Sequence, residues 1–249
     1  MKYLTAEELL ESDKDYSHEI LEKCVGKSVR DNFAFQVFDN YLGGKFGNNR
    51  HNLKILDLGP ASGGFARQIN NSGYVKIYGT DLDDYIVDGN KSSFKEFKKC
   101  DLSLEKIPWP DDFFDVADAW CVLPHLENPF HCIREVSRVL KKGGIFIFTA
   151  PYLASKPSMD YFVKRKDFGS YRASNNHLVL FPKGVVEKSV LKYFNLVDIE
   201  YHFRTKIFKG WRGAIRKVLY KAAKSAGDKW RKKIAKRWAY SIFYVIENK

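Results

Sequence analysis

Leu53-Lys-Ile-Leu-Asp57-Leu-Gly59-Pro-Ala61-Ser-Gly63-Gly64 decides the fold class. Its first half is a short β-type run, and its second half is a glycine-rich turn that opens a helical stretch near 64–71. Glycines in that position let the backbone approach a ligand closely, and the helix N-terminus behind them favours a negative group. A second strand follows, Val75-Lys-Ile-Tyr-Gly-Thr80. Asp81 ends it about 20 residues past the glycines, where a carboxylate can accept hydrogen bonds from both hydroxyls of a ribose. Asp101 follows a third strand, Phe94 to Lys99, and can accept from an exocyclic amine. No Lys or Arg occurs between Asp57 and Gly64, and the GxxxxGK[ST] spacing is absent, so a polyphosphate ligand is disfavoured.

Outward from this unit the alternation continues. Phe114 to Trp120 reads as a fourth strand and Pro129 to Leu140 as a helix with Pro in its first turn. Gly143-Gly144 is expected to stop that helix before a fifth strand, Ile145 to Ala150. A helix over 183–193 and strands over 196–203 and 239–246 bring the strand count to seven. Strands alternating with helices predict a doubly wound α/β fold with a mostly parallel sheet covered on both faces. Residues 1–50 read as an N-terminal helical cap, with Phe33, Phe35, Val37, Phe38 and Leu42 leading to a GGKFGNN breaker; residues 51–249 form the main domain.

With 249 residues, 45% hydrophobic and 15% aromatic, the chain can bury a large core, which excludes wholesale disorder. Cys24, Cys100, Cys121 and Cys132 form no Cys-x-x-Cys pair, so neither a metal site nor a redox motif is expected and the thiols read as buried and free. The N-terminus, MKYLTAEELLESDKD, is acidic where a secretory signal is apolar, and no run of 18 apolar residues occurs, so a cytoplasmic protein is expected. The net charge of +12 is concentrated: Arg204 to Arg237 holds 14 basic residues and one acid, Asp228, hence 14 − 1 = +13 there and 12 − 13 = −1 elsewhere.

Four segments in order resemble one family. ILDLGPASGG, GTDLD, CDLSLEKIPWPDDFFDVADAWCVLPHLENP and REVSRVLKKGGIFIFTAP are similar to the motifs of class I S-adenosylmethionine-dependent methyltransferases, of the type 11 group that includes quinone-biosynthesis and glycan-cluster enzymes. The resemblance runs from about Leu53 to about Phe203. It implies S-adenosylmethionine as cofactor and S-adenosylhomocysteine as product. It further implies that Asp57 faces the methionine amino group, that Gly59, Ala61 and Gly63 underlie the cofactor, and that Asp81 holds the ribose. Leu82 and Leu102 would sandwich adenine, Asp101 would receive its amine, and Trp120 would border the sulfonium; ordinary core packing is the alternative for Leu82, Leu102 and Trp120. The chain departs from the family where Ala61 replaces a glycine, Pro60 stiffens the turn and Pro124 precedes His125. In the seven-stranded arrangement the last strand is antiparallel, which puts the basic insertion before it over the substrate entrance.

A hydroxyl acceptor must lose a proton, and a positioned His is the usual base. His177, in NNHLVLFPKG, is the first candidate and His125, after the fourth strand, the second; a structural role is the alternative for both. Trp120-Cys121-Val122-Leu123 lacks the [Asn/Asp]-Pro-Pro-aromatic motif of base and amide methylation, and Cys121 reads as a small buried side chain. Two segments fall outside the family pattern and are expected to choose the substrate. One is a lid loop over 151–176, rich in Tyr, Lys and Arg. The other is a basic amphipathic helical insertion over 204–238, with Trp211, Ile215, Val218, Leu219 and Ala222 on one face and Trp230, Ile234 and Trp238 on a second. Such an insertion suits an anionic membrane surface, the phosphates of RNA, or packing on its own domain. The favoured acceptor is a hydroxyl of a glycan, lipid-linked precursor or small metabolite at the inner membrane face. An RNA methyltransferase and a binding protein without turnover are the alternatives.

Overall fold

The computed structural model describes residues 29–172, 176–203 and 210–249. In chain order its elements are α1 (Val29–Phe46), β1 (Lys54–Leu58), α2 (Gly64–Asn70), β2 (Lys76–Asp81), α3 (Asp88–Lys91), β3 (Glu96–Lys99), β4 (Phe114–Ala119), α4 (Pro129–Val139), β5 (Leu140–Pro151), α5 (Lys156–Arg165), α6 (Lys183–Ser189), β6 (Phe194–His202), α7 (Gly210–Ser225), α8 (Asp228–Trp238) and β7 (Ser241–Asn248). The strands form one seven-stranded sheet in the order β3-β2-β1-β4-β5-β7-β6. β7 runs antiparallel to both β5 and β6, and the other pairings are parallel.

Two cores result because successive strand residues point to opposite faces. Ile55, Val116, Ile147 and Phe243 pack with Phe38 and Leu42 of α1 and Phe65 and Ile69 of α2. Leu56, Ala117, Phe146 and Tyr244 pack with Ile133 and Val136 of α4 and Val186 of α6 on the other side. Each fully buried Phe or Leu stabilises the fold by about 1.5–3 kcal/mol, before ordering costs.

Besides shifts of a few residues at other element ends, three differences from the sequence expectation have a physical cause. α1 runs through Gly43-Gly44 to Phe46 because burial of Leu42 outweighs the weak helix propensity of the glycines. β5 begins at Leu140, and Gly143-Gly144 shapes an irregularity inside the strand instead of ending a helix. Gly143 has φ +74°, and a Cβ at Gly144 would lie 2.8 Å from the Lys141 carbonyl oxygen. The segment expected as a lid loop over 151–176 contains a helix, α5: the Ser155 hydroxyl caps it by accepting from the Ser158 N–H, and Pro157 sits in its first turn. The expected residues 1–28 of the cap, Cys24 and residues 204–209 lie outside the described residues.

Because β6 is parallel to β5, the connection from β6 through α7 and α8 to β7 leaves and returns at the carboxyl edge of the sheet. α8 is tied to β6 by Arg231, which donates to both oxygens of buried Glu200 at 2.8 and 2.9 Å, and by an ion pair of Lys232 with Asp198.

Candidate active site

The turn after β1 holds three left-handed residues at alternate positions: Gly59 (φ +64°), Ala61 (φ +48°) and Gly63 (φ +75°). Ala61 therefore keeps the backbone shape that a glycine would take more cheaply. At Gly59 a Cβ would come within 2.6 Å of Val122, which covers the turn from the far side. The turn is latched to β2 by the Gly59 N–H, which donates to the Thr80 carbonyl at 2.8 Å.

Asp81 closes this end of the site. One of its oxygens accepts from the Ala61 N–H at 3.3 Å and the other from the Leu82 N–H at 2.8 Å, so its carboxylate lies against the turn. Asp101, two strands from the turn, accepts from the Ser103 N–H at 2.8 Å, and its own N–H donates to Glu105. Leu82 is half-buried just past β2. Leu102 is packed in the core near Ile107 and Trp109. Trp120 turns its indole into the α1/α2 core, 4.7 Å from Phe65 and 5.8 Å from Phe243 by ring centroids.

Beneath the turn lies a feature the sequence reading missed. Asp57 of β1 and Asp118 of β4 are paired in register, 1% and 0% exposed. Among the described residues none of their four oxygens has a hydrogen-bond partner of normal geometry. Burial raises the pKa of Asp57, the contact with Asp118 opposes this in part and the nearby Asp81 charge adds to it; burial raises that of Asp118, with the Asp57 charge adding. Burial thus favours the protonated form of both carboxyls. The signal was present in the alternation: Val116, Asp118 and Trp120 share one face of β4, and that face is buried.

At the carboxyl end of β4 the chain brings together three side chains distant in sequence. Cys121 takes a left-handed conformation (φ +68°), and a short 3-10 turn, Leu123–His125, follows. The Pro124 carbonyl accepts from the N–H groups of both Leu178 (2.7 Å) and Val179 (3.1 Å), which docks the segment carrying His177 beside His125. The two imidazole centroids are 4.5 Å apart, and the Cys121 Sγ is 3.7 Å from the His177 Nε2. Cys121 is half-buried, more open than the small buried side chain expected. Tyr171 flanks the cluster, 5.3 Å from the His177 ring, and its hydroxyl donates to the Val179 carbonyl. Pro124, a departure from the family pattern, thus supplies the carbonyl that sets His177 in place.

The turn and the acidic residues fit the implied cofactor. Its three left-handed residues and the Asp81 carboxylate laid against Ala61 suit a ligand whose ribose lies at the end of β2.

Comparison with known proteins agrees with this geometry. Residues 56–148 match the model of a methyltransferase domain. Over 106 residues the chain is 30% identical to a sarcosine/dimethylglycine N-methyltransferase of Halorhodospira halochloris, covering 40% of this chain and 38% of that protein. Over 173 residues it is 22% identical to a ubiquinone/menaquinone biosynthesis C-methyltransferase of Neisseria meningitidis serogroup C, covering 60% of this chain and 69% of that protein. The chain thus spans less than half the length of the first of these relatives. A solved S-adenosylmethionine-dependent methyltransferase from Archaeoglobus fulgidus superposes with a TM-score of 0.54 at 15% identity, over 86% of this chain and 94% of that one. Residues 56–148 are therefore a methyltransferase domain, and the chain carries the class I S-adenosylmethionine-dependent methyltransferase fold.

Proposed function

We propose that this chain transfers a methyl group to a hydroxyl of a glycan, lipid-linked precursor or other small metabolite presented at an anionic membrane surface. S-adenosylmethionine supplies the methyl group on a sulfonium, already activated for in-line displacement. The chain's own residues have three tasks: holding the nucleoside, excluding water, and receiving the acceptor's proton. Asp81 and the turn hold the ribose end. Cys121, His125 and His177 stand at the same edge of the sheet, and the acceptor oxygen is activated there.

The observation that carries the membrane reading is the outward-facing row on α7. Trp211 is 70% exposed and Val218 64%, with Ile215 and Leu219 exposed on the same helix and Trp230 on α8. The helix pair is anchored by its other side. The Tyr220 ring stacks on Phe203 at 4.6 Å, Ala223 and Ala235 are buried, and the Arg216 guanidinium lies 3.9 Å over the Trp238 ring. Packing on the chain's own domain therefore accounts for one face and leaves an apolar row among basic residues facing solvent. Such a face suits insertion at a headgroup boundary, where each Lys or Arg contributes about 1 kcal/mol. No helix among the described residues is long and apolar enough to cross a membrane.

The test is co-sedimentation with anionic vesicles across a salt series, beside transfer RNA binding under the same conditions. Vesicle binding that falls at least tenfold in a Trp211→Ser/Leu219→Ser variant is expected. RNA binding with a steep salt slope and no vesicle binding would overturn the membrane reading in favour of an RNA acceptor.

A further inference from the structure

From the cluster at the carboxyl end of β4 we infer that Cys121, His125 and His177 form a binding site for a divalent transition-metal ion of the zinc type, with a fourth position open toward the acceptor. One ligand atom from each of the three lies within 4.8 Å of the other two. A tetrahedral zinc ion with sulfur at about 2.3 Å and imidazole nitrogen at about 2.0 Å spaces those two atoms about 3.5 Å apart. Cys121 Sγ and His177 Nε2 are already 3.7 Å apart, so closing on an ion needs small side-chain movements.

The surroundings fix the rings as a metal site requires. The His125 Nδ1 faces the Asn176 carbonyl at 3.1 Å, and the His177 Nδ1 faces the Ser170 carbonyl. A carbonyl oxygen only accepts, so each Nδ1 carries the hydrogen and each neutral ring keeps its lone pair on Nε2. Histidine ligands are held in this way by the hydrogen bond on their other nitrogen. Cys121 holds its left-handed backbone although it carries a side chain, and that conformation places its sulfur beside the His177 nitrogen. Thiolate and imidazole together select zinc or cobalt over magnesium or calcium, which prefer oxygen.

Three protein ligands leave one position of a tetrahedron for water or substrate. An acceptor hydroxyl bound there would lose its proton near neutral pH to solvent as it enters, before water is excluded, with the ion stabilising the oxygen that then attacks the methyl carbon as the carbon–sulfur bond breaks. His177 and His125 are then ligands, and the ion takes the task expected of a His base. The site stands on the three side chains alone; its part in catalysis rests on the proposed methyl transfer.

The test uses the full chain, freed of metal by dialysis against a chelator and titrated with Co²⁺ and Zn²⁺. One ion per chain is expected, with the visible bands of four-coordinate Co²⁺ and a near-ultraviolet sulfur-to-cobalt charge-transfer band, displaced by Zn²⁺. Cys121→Ser should abolish the charge-transfer band, and His125→Ala and His177→Ala should each weaken binding at least tenfold while S-adenosylmethionine affinity, measured in the same preparations, stays within twofold. Zn²⁺ should also slow alkylation of Cys121 in the unsubstituted chain at least tenfold, read by peptide mass spectrometry, which needs no variant to fold. Absence of that protection, or Co²⁺ spectra unchanged by Cys121→Ser, would overturn the metal site and leave a Cys–His hydrogen bond only. Loss of cofactor binding with metal binding intact would instead count against the methyl-transfer reading.

Discussion

Replacing Asp118 with Asn isolates the cost of the buried carboxyl pair. Asp57 and Asp118 are both closed off from solvent, and no hydrogen bond of normal geometry reaches either. Asp57 is pushed up to about 8, by burial first and by the Asp81 charge in addition, and Asp118 is also raised by burial with the Asp57 charge adding. In the unfolded chain both ionise near the usual carboxylate value of about 3.9. Between those limits the native state binds more protons than the unfolded state, so stability is greatest at low pH and is lost as pH rises toward the folded values. Each such carboxyl contributes about 1.4 kcal/mol of loss per pH unit while it stays protonated in the fold. Asp118→Asn keeps the shape, removes one titrating group and offers Asp57 an N–H donor. The stability difference between variant and parent, from urea unfolding at several pH values, should therefore grow in the variant's favour as pH rises above the usual carboxylate value, by up to about 1.4 kcal/mol per pH unit. Taking the difference cancels the pH dependence of groups remote from the pair. A difference that does not change with pH, or a variant less stable than its parent at pH 7, would refute a protonated pair.

Three further outcomes follow from the same geometry. Asp81→Ala removes the carboxylate laid against Ala61, and calorimetry should show S-adenosylmethionine binding weakened at least tenfold; a parent that binds none would make the chain a binding protein without turnover. Ala61→Gly relieves a left-handed alanine worth about 1 kcal/mol against a glycine entropy cost of about 0.5 kcal/mol, so the thermal midpoint should rise by roughly a degree or two, and a fall would show that Ala61 is not strained. Glu200→Ala leaves the half-buried Arg231 without its bidentate partner and should cost about 3 kcal/mol in urea unfolding; a loss below about 1 kcal/mol would mean that the Arg231–Glu200 pair does little to hold α8 on β6.

Much of the frame was legible because it rests on local pattern. Ile55, Leu56 and Leu58 with the glycines after them specify a buried strand and a turn, and the position of Asp81 follows from strand length. The basic segment could be read as two helices from the spacing of Trp211, Ile215 and Leu219. The outward direction of that row could not be read, because a helical wheel shows which residues share a face and not which face the domain covers. Here Glu200 on β6 and Phe203 just past it decide the matter by taking Arg231 and Tyr220. The helix inside the 151–176 segment has its signal in Ser155 and Pro157, an N-cap and a first-turn proline.

The cluster at β4 shows where a single sequence stops being informative. Cys121 and His177 are 56 residues apart, and nothing in either neighbourhood names the other. Their meeting depends on Pro124, whose carbonyl accepts two N–H groups from the segment that carries His177. Proline confines the backbone that orients this carbonyl, while the left-handed Cys121 three residues earlier swings the thiol toward the same place. Two residues that read separately as a departure from a motif and as a small core side chain are thus one construction. Pro124→Gly should loosen it without touching a ligand atom. If it leaves the Cys121–His177 proximity intact, as judged by unchanged Co²⁺ spectra and Zn²⁺ protection of Cys121, the docking of His177 does not depend on that carbonyl.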